Sequence, residues 1–222
     1  MLVILTGLLV AFTGAFVAVF TETLVEWKLE SCYHLMEEKR FAAAFFAFQF
    51  ISQFLVLIAG ALCWREPAAG GSGIPEIKAF LNGVNISGVV RMPVLVAKVV
   101  GMCFSVAAGL PLGKEGPMIH AGSIIGAAVS QGNTISFGFD TSWNIFQDLR
   151  NDYTKRDYVT YGAAAGVAAA FRAPIGGILF TLEEGASFWS VQTTFRSFMC
   201  AVVTQLTVGI IFPEQATSSA GR

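Results

Sequence analysis

A five-residue stretch, Gly113–Pro117 (GKEGP), lies between two apolar runs, Val94–Leu112 and Met118–Ser130. An ionised carboxylate at membrane depth is costly, and such groups tend to be functional. The glycines free the backbone, and Pro117 suits the first turn of a helix, where its missing N–H is no loss. The stretch therefore predicts a break in a membrane segment, followed by a helix whose N-terminal amides attract anions. Glu115 is the anion already tethered there, and a mobile anion has to compete with it.

The composition is that of a membrane protein. Of 222 residues, 55% are hydrophobic and only 13% are charged, whereas soluble domains carry about 25% charged residues. A net charge of -1 provides no basic field for nucleic acid. His120 is interpreted as a packed helix residue rather than a ligand. The four cysteines lack metal-site spacing and are interpreted as free buried thiols: Cys32, Cys63, Cys103 and Cys200.

Three uncharged or nearly uncharged runs have the length of a membrane span, Met1–Phe20, Phe41–Trp64 and Thr193–Phe212. The first lacks the basic start of a signal peptide and is interpreted as a transmembrane helix. The charged connector Glu22–Arg40 is interpreted as a helical extension of that span.

The remaining apolar segments are short or interrupted. Met118–Ser130 is too short to cross a bilayer alone, and Tyr158–Leu182 contains Pro174. Gln131–Asp157 is the most polar stretch and predicts a loop or a surface helix. Short segments with repeated Gly and Pro breaks are typical of transporters built from discontinuous helices. The expected fold is an all-α integral membrane bundle of short, tilted and interrupted helices.

Two glycine pairs have the four-residue spacing of close helix contacts, Gly122 with Gly126 and Gly162 with Gly166. Such pairs also arise by chance in a glycine-rich membrane chain, so the sequence leaves both interpretations open.

Two further breaks accompany the first. In Gly70–Glu76, Ser72 lies at a cap position before Pro75, and its hydroxyl and the neighbouring amides are suited to bind a dehydrated anion. A simple helix cap after a flexible loop is the alternative. The other break surrounds Pro174, and Glu183 and Glu184 follow it as helix-end carboxylates.

The three breaks together carry a family resemblance. Gly71-Ser72-Gly73-Ile74-Pro75, Gly113–Pro117 and Gly166-x4-Phe171-x2-Pro174-x2-Gly177-x-Leu179-Phe180 occur in this order. They resemble the three signature motifs of the CLC family of chloride channels and chloride/proton exchangers. The run from Glu183 to Trp189 is most similar to the endosomal–lysosomal branch, and Phe171–Pro174 also resembles plant vacuolar members. The resemblance implies the first half of a CLC-type inverted repeat over residues 1–212 and a polar tail over 213–222. The second repeat and the CBS domains of family members are not found in this sequence.

The resemblance also implies roles for single residues. Ser72 is expected to be an anion ligand with chloride preference, and Glu115 to be the gate. Glu184 aligns with the internal proton-transfer glutamate of exchangers, where pure channels commonly carry Val. The anion-binding set expected from the first two motifs is Gly71, Ser72, Gly73, Ile74, Pro75, Gly113, Lys114, Gly116 and Pro117.

Chloride/proton antiport is therefore the expected function, with chloride and protons as the transported ions and no cofactor or metal. The resemblance implies a homodimer in an endosomal, lysosomal or vacuolar membrane, with lipid around it and no nucleic acid. A passive voltage-gated chloride channel and a truncated, non-transporting polypeptide are the alternatives. An enzyme is disfavoured, because Gly109-x3-Gly113-Lys114 is one residue short of a P-loop and Gly70-x-Ser72 lacks the last glycine of a nucleophile elbow.

Overall fold

The computed structural model describes residues 1–84, 86, 88–136, 139–142, 151–185 and 189–213, with the backbone alone in the two strands. This part of the chain forms eight α-helices, a short 3-10 turn at Pro67–Ala69, a π-helical turn at Thr181–Gly185, and two short strands. The helices are α1 Leu2–Glu37, α2 Phe41–Arg65, α3 Ile74–Leu81, α4 Met92–Ala108, α5 Glu115–Gln131, α6 Asp152–Phe171, α7 Pro174–Phe180 and α8 Val191–Ile211.

Three helices, α1, α2 and α8, are long and apolar enough to cross a membrane, which confirms the three predicted spans. The predicted extension of the first span is also confirmed, because α1 runs without interruption for 36 residues. At 1.5 Å per residue α1 is about 54 Å long, well beyond the roughly 30 Å of bilayer hydrocarbon. The protein is therefore an integral membrane protein, and α1 extends past the apolar layer.

The polar stretch that follows α5 differs in part from its prediction. Its last residues, 152–157, begin α6 and are exposed or half-buried, which agrees with a surface helix. Its first part instead contains an antiparallel pair of strands, β1 Asn133–Ser136 and β2 Phe139–Ser142. Gly132 ends α5 in the left-handed region, with φ of 56°, and the following Thr, Ile and Phe residues favour extended backbone. Apart from this hairpin the described chain is helical, as expected. Residues 143–150, within the same predicted segment, lie outside the described residues, as does the predicted tail after residue 213.

Helices α5 and α6 form the centre of the fold and touch backbone to backbone. A Cβ atom added to Gly122 would strike the carbonyl oxygen of Gly162, and one added to Gly162 would strike the carbonyl oxygen of Gly122. A Cβ added to Gly126 would strike the carbonyl oxygen of Tyr158. A Cβ added to Gly166 would lie 2.9 Å from the Cα of Ile119. Both glycine pairs therefore lie in one helix contact, and the prediction of close packing is confirmed over that of chance occurrence.

A second tight helix contact joins α1 and α8. On α1, a Cβ added to Gly7 would lie 2.8 Å from the carbonyl oxygen of Cys200 on α8. The hydroxyl of Thr204 on α8 donates a hydrogen bond to the Gly7 carbonyl oxygen at 2.9 Å. Small residues and a side-chain hydrogen bond thus join the first and last spans, as is usual between helices in lipid.

We predict that Gly162→Ala lowers the free energy of unfolding by about 1–3 kcal/mol, because the new methyl group must displace the α5 backbone. Gly209→Ala is the matched control, since Gly209 also lies within a helix and has nothing within 4 Å of an added Cβ. Thermal unfolding of the full-length protein in detergent measures both. Equal melting temperatures for the two variants would contradict the close contact between α5 and α6.

Candidate functional site

The first break is a tight loop that leads into α3. Gly73 is the N-cap of α3 and has φ of 80°, a left-handed conformation that favours glycine. The Ser72 hydroxyl oxygen accepts a hydrogen bond from the backbone N–H of Ile74 at 3.2 Å. The sequence placed Ser72 at the cap position, and this was wrong by one residue. Ser72 is exposed, so its hydroxyl hydrogen remains available to a ligand.

The second break meets the first. Helix α5 begins at Glu115 and has Pro117 in its first turn, as predicted. A Cβ added to Gly116 would lie 2.7 Å from the Cβ of Ser72 and 3.3 Å from its carbonyl oxygen. A glycine is therefore required here for the two loops to touch. The contact brings the N-terminal ends of α3 and α5 to the same place, where their free amides favour an anion.

Glu115 lies directly beside this contact. It is half-buried, and its carboxylate folds back against Gly113. It lines a cavity of about 320 Å³ to which α1 contributes Thr21 and Glu22. Among the described residues the carboxylate makes no hydrogen bond to Ser72, although the residue next to it packs against Ser72. In this structure Glu115 is therefore adjacent to the candidate anion site and directed towards the α1 side.

A buried lysine stabilises the chain just before the second break. Lys28 on α1 donates a hydrogen bond to the Ala107 carbonyl oxygen at 2.7 Å, in the last turn of α4. Its ammonium also lies 4.8 Å from the centroid of the Phe48 ring on α2. The terminal carbonyls of a helix favour such a cation. Lys28 thereby fixes the end of α4, from which the chain runs to Glu115.

The third break joins the same region through apolar contacts. Helix α6 ends at Phe171, Arg172 adopts a left-handed φ of 56°, and Pro174 opens α7. Pro174 thus occupies the first helical turn, where proline is tolerated. Ile74 from the first motif and Phe180 from the third pack against one cluster formed by α5 and α6. All three breaks are therefore held by the central helix pair.

Glu184 lies in the π-helical turn that follows α7 and pairs with a residue that the sequence did not single out. Its Oε2 accepts a hydrogen bond from Lys78 Nζ at 2.8 Å. The side chains are 58% and 49% exposed, and the pair lies outside the three spanning helices. The hydrogen bond and the positive charge of Lys78 lower the pKa of Glu184. Lys78 is in the last turn of α3 and Ser72 precedes its first turn, so α3 separates the two sites.

Lys98 and His120 are the second feature that sequence analysis missed. They are 3% and 0% exposed, and Lys98 Nζ lies 2.6 Å from His120 Nδ1. His120 is packed, as predicted, but it also forms hydrogen bonds through both ring nitrogens. The available signal was Lys98 itself, since a lone lysine in an apolar run is a candidate functional residue.

Comparison with known proteins decides the family. The family described as voltage gated chloride channel matches residues 54–221, a range that includes all three breaks. The chain belongs to the CLC family. The CLC-type arrangement of broken helices predicted from the three motifs is thus confirmed as a fold.

The CLC relatives of this chain include transporters and channels. It is 52% identical over 158 residues to the bovine H(+)/Cl(-) exchange transporter 7, covering 71% of this chain and 19% of that protein. It is 42% identical over 203 residues to the Arabidopsis thaliana chloride channel protein CLC-c, covering 91% of this chain and 26% of that protein. A crystal structure of a eukaryotic CLC transporter superposes with a TM-score of 0.82 at 25% identity, covering 94% of this chain and 37% of that one. The chain therefore spans about a fifth to a quarter of the length of these curated relatives.

Proposed function

We propose that the chain forms the first half of the membrane domain of a chloride/proton exchanger and contributes its part of the chloride site. The observation that carries this proposal is the contact between Gly116 and Ser72. It places a hydroxyl, the amides at the starts of two helices and a tethered carboxylate in one small region. Such a region binds a dehydrated anion and offers it an acid as competitor.

Competition between Glu115 and the anion is the proposed gate. The ionised carboxylate occupies the amide-lined position, where its charge is stabilised and where it blocks a mobile anion. Protonation removes that charge, so the side chain moves aside towards the α1 cavity and chloride takes its place at Ser72. The other anion-binding candidates act through the backbone: Gly71, Gly73, Ile74, Pro75, Gly113, Lys114, Gly116 and Pro117.

Glu184 is the proposed proton donor and acceptor on the other side of α3. The hydrogen bond and positive charge of Lys78 lower the pKa of Glu184 and so favour its ionised form. A proton that passes between Glu184 and Glu115 would couple the release of the gate to proton movement. The name of the bovine relative, an H(+)/Cl(-) exchange transporter, supports this coupling.

A passive chloride channel is the second candidate, and the Arabidopsis relative named as a chloride channel favours it. The two candidates share the anion site and differ only in the proton route through Glu184. A polypeptide that does not transport is the third. We further propose a homodimer in an endosomal, lysosomal or vacuolar membrane, with chloride and protons as transported ions and no enzymatic activity.

We predict that Glu115→Ala in the full-length protein retains chloride flux, and that this flux no longer depends on external pH. The variant lacks the carboxylate whose protonation opens the site. Chloride flux into proteoliposomes, measured across a series of external pH values, tests this. Glu22→Ala is the matched control, because Glu22 lines the same cavity and should retain the pH dependence. Persistent pH gating in Glu115→Ala would refute Glu115 as the gate.

Glu184→Val should abolish proton counterflow while chloride flux continues. Glu183→Val is its control, since the neighbouring carboxylate is also exposed and has no proposed role. Parallel recordings of chloride and proton flux from proteoliposomes distinguish an exchanger from a channel. If the wild-type full-length protein moves chloride with no proton counterflow, the exchanger proposal fails and the channel is correct.

A further inference from the structure

A row of buried, hydrogen-bonded polar groups lies next to the loop of the first break. It runs from Lys98 on α4 through the imidazole of His120 on α5 to the backbone carbonyl of Val89 in the α3–α4 connection. Lys98 Nζ lies 2.6 Å from His120 Nδ1, and His120 Nε2 lies 3.0 Å from the Val89 oxygen. Both side chains are shielded from solvent, so each hydrogen bond matters more than it would in water.

The direction of these hydrogen bonds follows from the groups involved. An ammonium only donates, so Nδ1 of His120 must be the acceptor for Lys98. A neutral imidazole with an accepting Nδ1 carries its hydrogen on Nε2, which donates to the Val89 carbonyl. His120 is therefore held neutral in one tautomer, with both nitrogens occupied. The imidazole links the Lys98 ammonium to the fixed backbone at Val89.

The Lys98 ammonium lies next to the loop that forms the candidate anion site. A Cβ added to Gly73 would lie 2.6 Å from Lys98 Nζ and 2.6 Å from His120 Cγ. Since a carbon–carbon bond adds about 1.5 Å, the ammonium lies within about 4 Å of the Gly73 Cα. Gly73 follows Ser72 in the same tight loop. A positive charge this close to the loop stabilises an anion that binds at Ser72.

A competing partner for Lys98 is present nearby. Glu76 lies in the first turn of α3, and its Oε2 is buried with no hydrogen-bond partner in the described part of the chain. It lies in the turn that follows Gly73, beside which the Lys98 ammonium is held, so the opposite charges of Glu76 and Lys98 attract each other. A lysine free to move would pair with this carboxylate, because a buried oxygen without a partner is costly. The charge of Lys98 would then be neutralised within the protein instead of acting on an anion.

We propose that His120 is a positioning residue that holds the Lys98 ammonium against the Ser72–Gly73 loop and away from Glu76. This inference rests on the proposed chloride transport and deepens it, since it names what sets the affinity of that site. His120 acts through Lys98 and has no contact with the anion.

The test is chloride flux as a function of chloride concentration, measured in proteoliposomes with the full-length protein. His120→Leu removes the acceptor and should raise the half-saturating chloride concentration about tenfold, with a smaller change in maximal rate. His120→Gln keeps an accepting oxygen and a donating N–H and should stay within about twofold of wild type. Adding Glu76→Gln to His120→Leu should restore most of the lost affinity, because the competing charge is gone.

A purely structural role predicts a different result. His120→Leu and His120→Gln would then lower the amount of folded protein or the maximal rate alike, and Glu76→Gln would rescue neither. That pattern overturns the inference, and so does an unchanged half-saturating concentration in His120→Leu. If His120→Leu fails to fold, His120→Phe takes its place, because it keeps a ring and also lacks an acceptor. A raised half-saturating concentration that Glu76→Gln restores supports the inference, and an unchanged one overturns it. Wild-type protein that moves no chloride would refute the proposed function as well, whereas normal wild-type transport with unaffected variants refutes the positioning role alone.

Discussion

A membrane protein must satisfy its backbone polar groups internally, so a broken helix survives at membrane depth only when it is enclosed by protein. The backbone contact between α5 and α6 provides one side of that enclosure here. Gly122 and Gly162 allow the two helices to approach without intervening side chains, and the pair then forms a wall against which the three breaks pack. The loops around Ser72, Glu115 and Pro174 depend on this wall for their shape.

The anion-binding property of the breaks comes from the helix ends that they contain. The helix N-termini at Ile74 and Glu115 expose amides that have no intrahelical acceptor. The contact between Gly116 and Ser72 directs both ends to one place. An acid fixed to one of these helices is then both a neighbour and a competitor of any anion that enters. The buried ammonium of Lys98 behind the loop adds a positive charge of its own.

Much of the fold could be predicted from local patterns in the sequence. Apolar length gave the spans, Gly and Pro marked the breaks, and the spacing of Gly122 and Gly126 indicated a helix contact. The hairpin after α5 was missed because its strands are only four residues each, too short for a clear periodic pattern. Such segments are also easily taken for loops.

Contacts between residues far apart in the chain could not be predicted from the sequence. Lys78 and Glu184 are separated by 106 positions, and no local pattern relates a lysine near the end of one short helix to a carboxylate after another. The pairing of Lys98 with His120 required the crossing of α4 and α5 to be known. Gly116 and Ser72 were each singled out from their own motifs, and only the folded chain shows that they touch.

The central claim is that the Glu115 carboxylate and a mobile anion occupy the same position beside Ser72. Anomalous diffraction from crystals of the full-length protein in bromide, wild type against Glu115→Gln, measures this directly. We predict a bromide peak within hydrogen-bond distance of the Ser72 hydroxyl, with higher occupancy in Glu115→Gln than in wild type. A bromide peak remote from Ser72 and Gly116, or one of equal occupancy in both proteins, would contradict it.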